Sequence, residues 1–161
     1  MAKVAVVLGS MSDWEEMKKA CEVLEDMGIE YDRQILSAHR TPLAMADYAK
    51  KAKDNGFSVI IAGAGMAAHL PGVFASLTPL PVIGVPMKGN AVGGLDALLS
   101  IAQMPKGVPV ATVAIGNATN AGLLAAEIIG LFDQSVQDKI IAMRAAREEA
   151  IIKTNADWNA E

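Results

Sequence analysis

The two histidines of this sequence each stand a few residues past a segment that reads as a strand, and they are the groups best suited to moving a proton near neutral pH. His39 lies in Ser37-Ala38-His39-Arg40-Thr41-Pro42, and His69 in Gly63-Ala64-Gly65-Met66-Ala67-Ala68-His69-Leu70-Pro71-Gly72. Arg40 stands beside a helix start at Thr41-Pro42, where its guanidinium can grip a phosphate with two parallel bonds. A surface salt link is the plainer use of such a His-Arg pair. Gly9-Ser10-Met11-Ser12-Asp13 also suits an anion. Its glycine admits backbone N–H groups, its two hydroxyls can donate, and the helix after it offers a positive end. Asp13 would oppose a phosphate but can accept from ribose hydroxyls. Ser12 and Glu15 can instead form a capping box, which needs no ligand. Gly63, Gly65, Ala67 and Ala68 leave few side chains to obstruct a flat ring, and a base could be read there by backbone groups. His69 is expected inside the first helical turn, where a structural role competes with ligand contact. Neither histidine has a carboxylate or cysteine at metal-ligand spacing, so no metal site is expected. No Gly-Lys-Ser/Thr follows the first glycine loop, so it is not a Walker A loop.

These segments share a position, because each follows a run that reads as a strand. Val4–Leu8 is apolar on both faces, as a central parallel strand should be. Trp14, Met17, Cys21, Leu24 and Met27 then recur at helical spacing, and Gly28 closes that helix. A second strand is expected from about Glu30 to Leu36. The helix after it starts at Thr41-Pro42, with Thr as N-cap and Pro in the first turn, and ends near Asn55-Gly56. Further strands are expected at Ser58–Ala62, Pro81–Val85 and Val110–Ile115, with helices from about Ala67, Gly94 and Asn120. Five βα units in sequence imply an α/β fold: a flavodoxin-like three-layer sandwich, with a five-stranded parallel sheet and helices on both faces. Open sheets of this kind bind ligands outside the carboxyl ends of their strands, where all three segments fall.

One helix, from about Gln134 to Lys153, is left over. Val136, Ile140 and Met143 form an apolar stripe that Ala150 continues, while Asp138, Lys139, Arg144, Glu148 and Glu149 keep the other side wet. It can fold back on its own domain or reach a neighbouring subunit, and the many small apolar residues favour the second. The chain is thus expected to be one domain over 1–161, with an α/β core over 1–132 and a C-terminal helix and tail over 133–161 packing on a neighbour.

Bulk properties narrow the class. A length of 161 residues fits one well-buried core. Hydrophobic residues make up 52% and aromatics only 4%, so the core must be built from Ala, Val, Ile, Leu and Met. Most long apolar stretches are broken by charges. The exception, Val108 to Ala126, contains Gly116, Asn117, Thr119, Asn120 and Gly122, which read as a turn, so no membrane span is expected. A net charge of −4 and the lack of a Lys/Arg run argue against a nucleic-acid surface. Cys21 has no cysteine partner, and Met1-Ala2-Lys3 leads into a strand pattern without a signal-peptide core. The cytoplasm is the expected location.

The three loop segments resemble those of the bacterial N5-carboxyaminoimidazole ribonucleotide mutases. So do Pro81-Val-Ile-Gly-Val-Pro86, the Leu95–Pro105 segment and Pro109-Val-Ala-Thr. The likeness runs from about Val4 to Leu131, with Met66 at a place where that family more usually has glycine. It implies transfer of a carboxyl group within an aminoimidazole ribonucleotide, from the exocyclic nitrogen to C4, with no cofactor, metal or ATP. It also implies that Ser10, Ser12 and Arg40 hold the phosphate region, Asp13 the ribose, and His39 acts as general acid and base. Ser37, Ala38, Gly65, Ala67, His69 and Leu70 would complete the substrate site. The partners implied are the ribonucleotide substrate, CO2 and a homo-octamer. Two other readings compete. One is an aminoimidazole ribonucleotide carboxylase that takes CO2 directly, although Leu95–Pro105 looks like the mutase branch. The other is a non-catalytic flavodoxin-like binding module. A receiver domain would need acidic strand ends where Leu8-Gly9 and Ala62-Gly63 stand, and a flavin carrier would usually show aromatics beside its ring.

Overall fold

The computed structural model describes residues 2–89 and 92–160. Five strands form one parallel sheet: β1 (Lys3–Leu8), β2 (Glu30–Ile35), β3 (Phe57–Ala64), β4 (Val82–Pro86) and β5 (Ala111–Thr112). Their order is β2-β1-β3-β4-β5, the flavodoxin-like winding expected. The helices are α1 (Trp14–Met27), α2 (Pro42–Lys51), α3 (Leu70–Leu77), α4 (Leu95–Ala102), α5 (Ala118–Gly130) and α6 (Gln134–Trp158).

The central strands bury both faces, and alternate residues serve different layers. Val4, Val6, Leu8, Val59, Ile61, Ile83 and Val85 pack with α1 and α5. Ala5, Val7, Ile60, Ala62 and Val82 pack with α2, α3 and α4. Edge strand β2, with Glu30, Asp32, Arg33 and Gln34, is mostly open to water. Small residues let the layers approach closely. A Cβ on Gly122 of α5 would lie 2.9 Å from Val23 Cβ and 3.0 Å from the Ala20 carbonyl of α1. Glu16 of α1 joins the same two helices by accepting a 3.1 Å hydrogen bond from the Ala118 N–H at the start of α5.

Several boundaries differ from those expected, each for a local reason. Helix α2 stops at Lys51 and finishes in a turn, with Asn55 N–H on the Lys51 carbonyl and Gly56 in the left-handed region at φ 82°. Helix α3 starts at Leu70 rather than near Ala67, because Met66 takes φ 53°, which no helix can continue. Helix α5 starts at Ala118, two residues early, where the Asn117 side chain accepts from Asn120 N–H at 3.0 Å. Strand β5 shrinks from six expected residues to two, since it pairs only with the short β4. The chain still follows β4 beyond it, with Val113 N–H on the Gly84 carbonyl and Gly116 N–H on that of Pro86. Helix α6 runs on to Trp158. Its Val136 and Ile140 join the α1/α5 layer, whereas Ala150 is exposed. No described helix is long and apolar enough to cross a membrane.

Candidate active site

The loops after β1, β2, β3 and β4 open onto one cleft of about 460 Å³. Ser10, Ser12 and Asp13 line it from the first loop, and Ser37, Ala38, His39 and Arg40 from the second. Gly65, Ala67, His69 and Leu70 line it from the third. All eleven residues singled out in the sequence therefore meet in one place. A groove of about 530 Å³ between Trp14 and Ile35 is larger, but it holds no histidine or hydroxyl.

The second loop is tied into a rigid turn by its own polar side chains. The Ser37 N–H donates to Thr41 Oγ1 at 2.9 Å, and that hydroxyl donates in turn to the Ser37 carbonyl at 3.2 Å. Thr41 is the N-cap residue of α2, as expected, and its carbonyl accepts from Met45 N–H at 3.0 Å, but its hydroxyl is occupied with Ser37 and makes no side-chain cap. Ser37 Oγ accepts from the Arg40 N–H at 3.1 Å and from Arg40 Nε at 3.4 Å. The Arg40 guanidinium also donates to the Gly9 carbonyl, which fastens the second loop to the first. Part of its fork is therefore already engaged.

In the first loop the capping box does not form. Ser10 accepts from Ser12 N–H across a short 3-10 turn, Met11–Asp13, and Glu15 pairs with Lys18 instead. Ser12 Oγ, which lines the cleft, donates to Asp13 Oδ1 at 3.3 Å. Burial raises the Asp13 carboxyl above its ordinary pKa, against the pull of the Ser12 hydrogen bond and of the Arg40 charge.

The two histidines touch. His39 Nε2 and His69 Nδ1 are 2.7 Å apart, with the rings edge to face at 4.8 Å between centroids. One of these nitrogens must donate and the other accept, so the pair carries a single shared proton while both rings are neutral. His69 sits at the residue before α3, not within its first turn, and aims its ring back across the cleft. Strands β2 and β3 flank β1, so the two loops start about 10 Å apart at ordinary strand spacing and can meet over its end. That order follows from the expected fold, so the meeting of the two histidine loops is implicit in it. Absent from the expected site were Met87, Lys88 and Gly89 after β4, which line the cleft beside Met66. The rule that ligands sit past strand ends would have found them had it been carried to the fourth strand.

A family model described as AIR carboxylase matches residues 3–150. The N5-carboxyaminoimidazole ribonucleotide mutase of Saccharolobus solfataricus is 60% identical over 140 residues, which cover 87% of this chain and 89% of that protein. The mutase of Bacillus subtilis is 50% identical over 154 residues, or 94% and 95% of the two chains. The crystal structure of Treponema denticola PurE superposes with a TM-score of 0.90 at 28% identity, over 98% of both chains. A 3-dehydroquinate dehydratase-like protein from Bifidobacterium longum, with TM-score 0.52 and 17% identity, shares the fold alone.

Proposed function

The chain belongs to the AIR carboxylase family, and we propose how its cleft performs the reaction of its mutase relatives, the conversion of N5-carboxyaminoimidazole ribonucleotide to the 4-carboxy isomer in purine biosynthesis. Ser10, Ser12 and the free part of the Arg40 fork take the 5′-phosphate, beside the start of α1. Asp13 accepts from the ribose hydroxyls. Gly65 and Ala67 let the imidazole lie against backbone, with Ala38 and Leu70 at its edges and Ser37 holding the turn beneath.

The observation that carries the reading is the histidine pair held between the phosphate loops and the ring loop. The reaction needs one group to give a proton and later take one back. Protonating the carbamate nitrogen breaks its C–N bond and releases CO2, leaving an electron-rich aminoimidazole. C4 then attacks the trapped CO2 and must lose its own proton. His39 delivers the first proton and removes the second, so the cycle closes with no net proton exchange. His69 sets the His39 tautomer: a proton on His69 Nδ1 leaves His39 Nε2 as acceptor, whereas a proton on His39 Nε2 makes His69 Nδ1 the acceptor. The fixed loops supply orientation and hold water away.

The same reading places the enzyme in the cytoplasm, where its phosphorylated substrate is retained, and in a homo-octamer. The test is interconversion of the two carboxylated ribonucleotides by purified protein in chelator, without ATP and at low bicarbonate. Turnover under those conditions is expected. Activity only with added bicarbonate and the uncarboxylated ribonucleotide would identify a direct carboxylase. Activity restored only by a divalent cation would remove the metal-free mechanism.

A further inference from the structure

We propose that Lys88 is a specificity-determining residue that holds the migrating carboxyl group, an inference that rests on the mutase reading above. Strand order sets the geometry. The loops lining the cleft come from β2, β1, β3 and β4 in that spatial order, so Arg40 and Lys88 enter it from opposite ends. Three strand spacings separate their strands, roughly 14 Å. The histidine pair lies between them, bridging the β2 and β3 loops.

The substrate has a matching charge pattern. It carries a phosphate at one end and a carbamate at the other, and its isomer keeps an anionic carboxylate on the ring. Arg40 is fastened to Gly9 and Ser37 at the phosphate end. Lys88 is exposed to the cleft and belongs to none of the ion pairs among the described residues. Its backbone is well supported, while its ammonium makes no hydrogen bond or ion pair among the described residues. The neighbouring Met87 N–H bonds the Ala64 carbonyl at 2.9 Å, and Gly94 leaves so little room that an added Cβ would stand 3.2 Å from Lys88 Cα. A lysine on a fixed strand end beside the ring loop puts a mobile cation where the ring's carboxyl substituent must lie. Because it pairs with the carboxyl of substrate and product alike, it strengthens binding of both and leaves the proton transfers to His39.

The experiment is calorimetric titration of the full chain with 4-carboxy-5-aminoimidazole ribonucleotide and with the uncarboxylated 5-aminoimidazole ribonucleotide. Lys88→Met should weaken the carboxylated ligand about tenfold or more, as loss of a charged hydrogen bond implies, and the uncarboxylated one less than about threefold. Lys88→Arg should restore most of the difference. In steady state, Lys88→Met should raise KM with kcat within about threefold. Equal weakening of both ligands would assign Lys88 to phosphate or to loop structure, and no weakening of either would leave it without a role; each overturns the proposal. Wild-type protein that binds both ribonucleotides but fails to interconvert the carboxylated pair would defeat the mutase reading while leaving the carboxyl contact measurable. Failure to bind either would defeat both.

Discussion

At the scale of residues, the cleft trades stability for chemistry. His39→Asn keeps an amide of similar shape but cannot shuttle a proton, so kcat should fall by at least about 100-fold while nucleotide binding survives. Near-normal turnover would take His39 out of the mechanism. His69→Ala should lower kcat less, since it removes the ring that fixes the tautomer and leaves the proton carrier in place. Asp13 makes the stability side measurable. Its folded-state pKa is raised chiefly by burial, so the folded protein binds the proton more tightly than the unfolded chain does. Ionised Asp13 therefore costs the fold stability at neutral pH, and the cost is relieved as pH falls through the raised value. Asp13→Asn should melt higher than wild type at pH 7, with a difference that shrinks toward pH 4, and should bind ribonucleotide more weakly. A difference that grows on acidification would mean that the carboxylate is a net stabiliser. Met66 fits the same pattern, as a non-glycine residue in the left-handed region at the cleft, where the family resemblance more usually has glycine. The eleven site residues that line the cleft were legible because each lies just past a segment that reads as a strand. The histidine contact follows only once the loops are set on neighbouring strands, and Lys88 only once the strand-end rule is carried to β4.

At the scale of elements, close packing behind the cleft fixes where the loops begin. Gly84 lies in the middle of β4, three residues before Met87. A Cβ there would run into Ile101 Cγ2 of α4, and would stand 3.1 Å from Val110 Cγ1 and 3.3 Å from Pro71 Cβ. Ile101 is fully buried and branched at Cβ, so it cannot swing aside. Gly84→Ala should therefore cost about 1–3 kcal/mol in chemical denaturation, as overpacking does in tight cores. Ile101→Ala in the same chain should recover part of that cost, giving a double-mutant cycle that is clearly non-additive. Additive losses would mean that the strand moves instead of the helix. The strands themselves could be read directly, because β1, β3 and β4 are apolar on both faces as a doubly covered sheet requires. Strand β5 was overestimated because Val110–Ile115 is as apolar as a strand, and apolar content does not reveal how much partner strand is available. Helix starts were off by two or three residues where a cap or a left-handed residue, Asn117 or Met66, decided the matter.

At the scale of the whole molecule, the C-terminal helix leaves the apolar side chains of its second half uncovered by its own domain. Its 25 residues span about 37 Å at the α-helical rise. The first half folds back: Val136 and Ile140 are buried against α5, Arg144 pairs with Glu127, and Lys139 reaches the Asp26 carbonyl of α1. The second half touches none of this, leaving Ile151, Ile152 and Trp158 more than 60% exposed. A second apolar area lies at the β2 edge beside the cleft, where Met11 and Ile35 are more than half exposed. Two such areas suit a closed octamer better than a dimer, because an octamer built from dimers of tetramers, or tetramers of dimers, needs at least two distinct interfaces. We therefore expect light scattering at micromolar concentration to give an octamer for the full chain. Removing residues after Leu131 should give a smaller and less active species, partly because Val136 and Ile140 leave the core. The sharper variant replaces Ile151, Ile152 and Trp158 with polar residues, which leaves the domain's own packing intact. It should shift the mass to a smaller oligomer while the melting of the isolated fold changes by less than about 0.5 kcal/mol, as surface substitutions do. An active full-length monomer would refute the assembly and leave the chemistry of the cleft standing. An octamer that survives the triple substitution would move the contact from the helix end to the β2 edge.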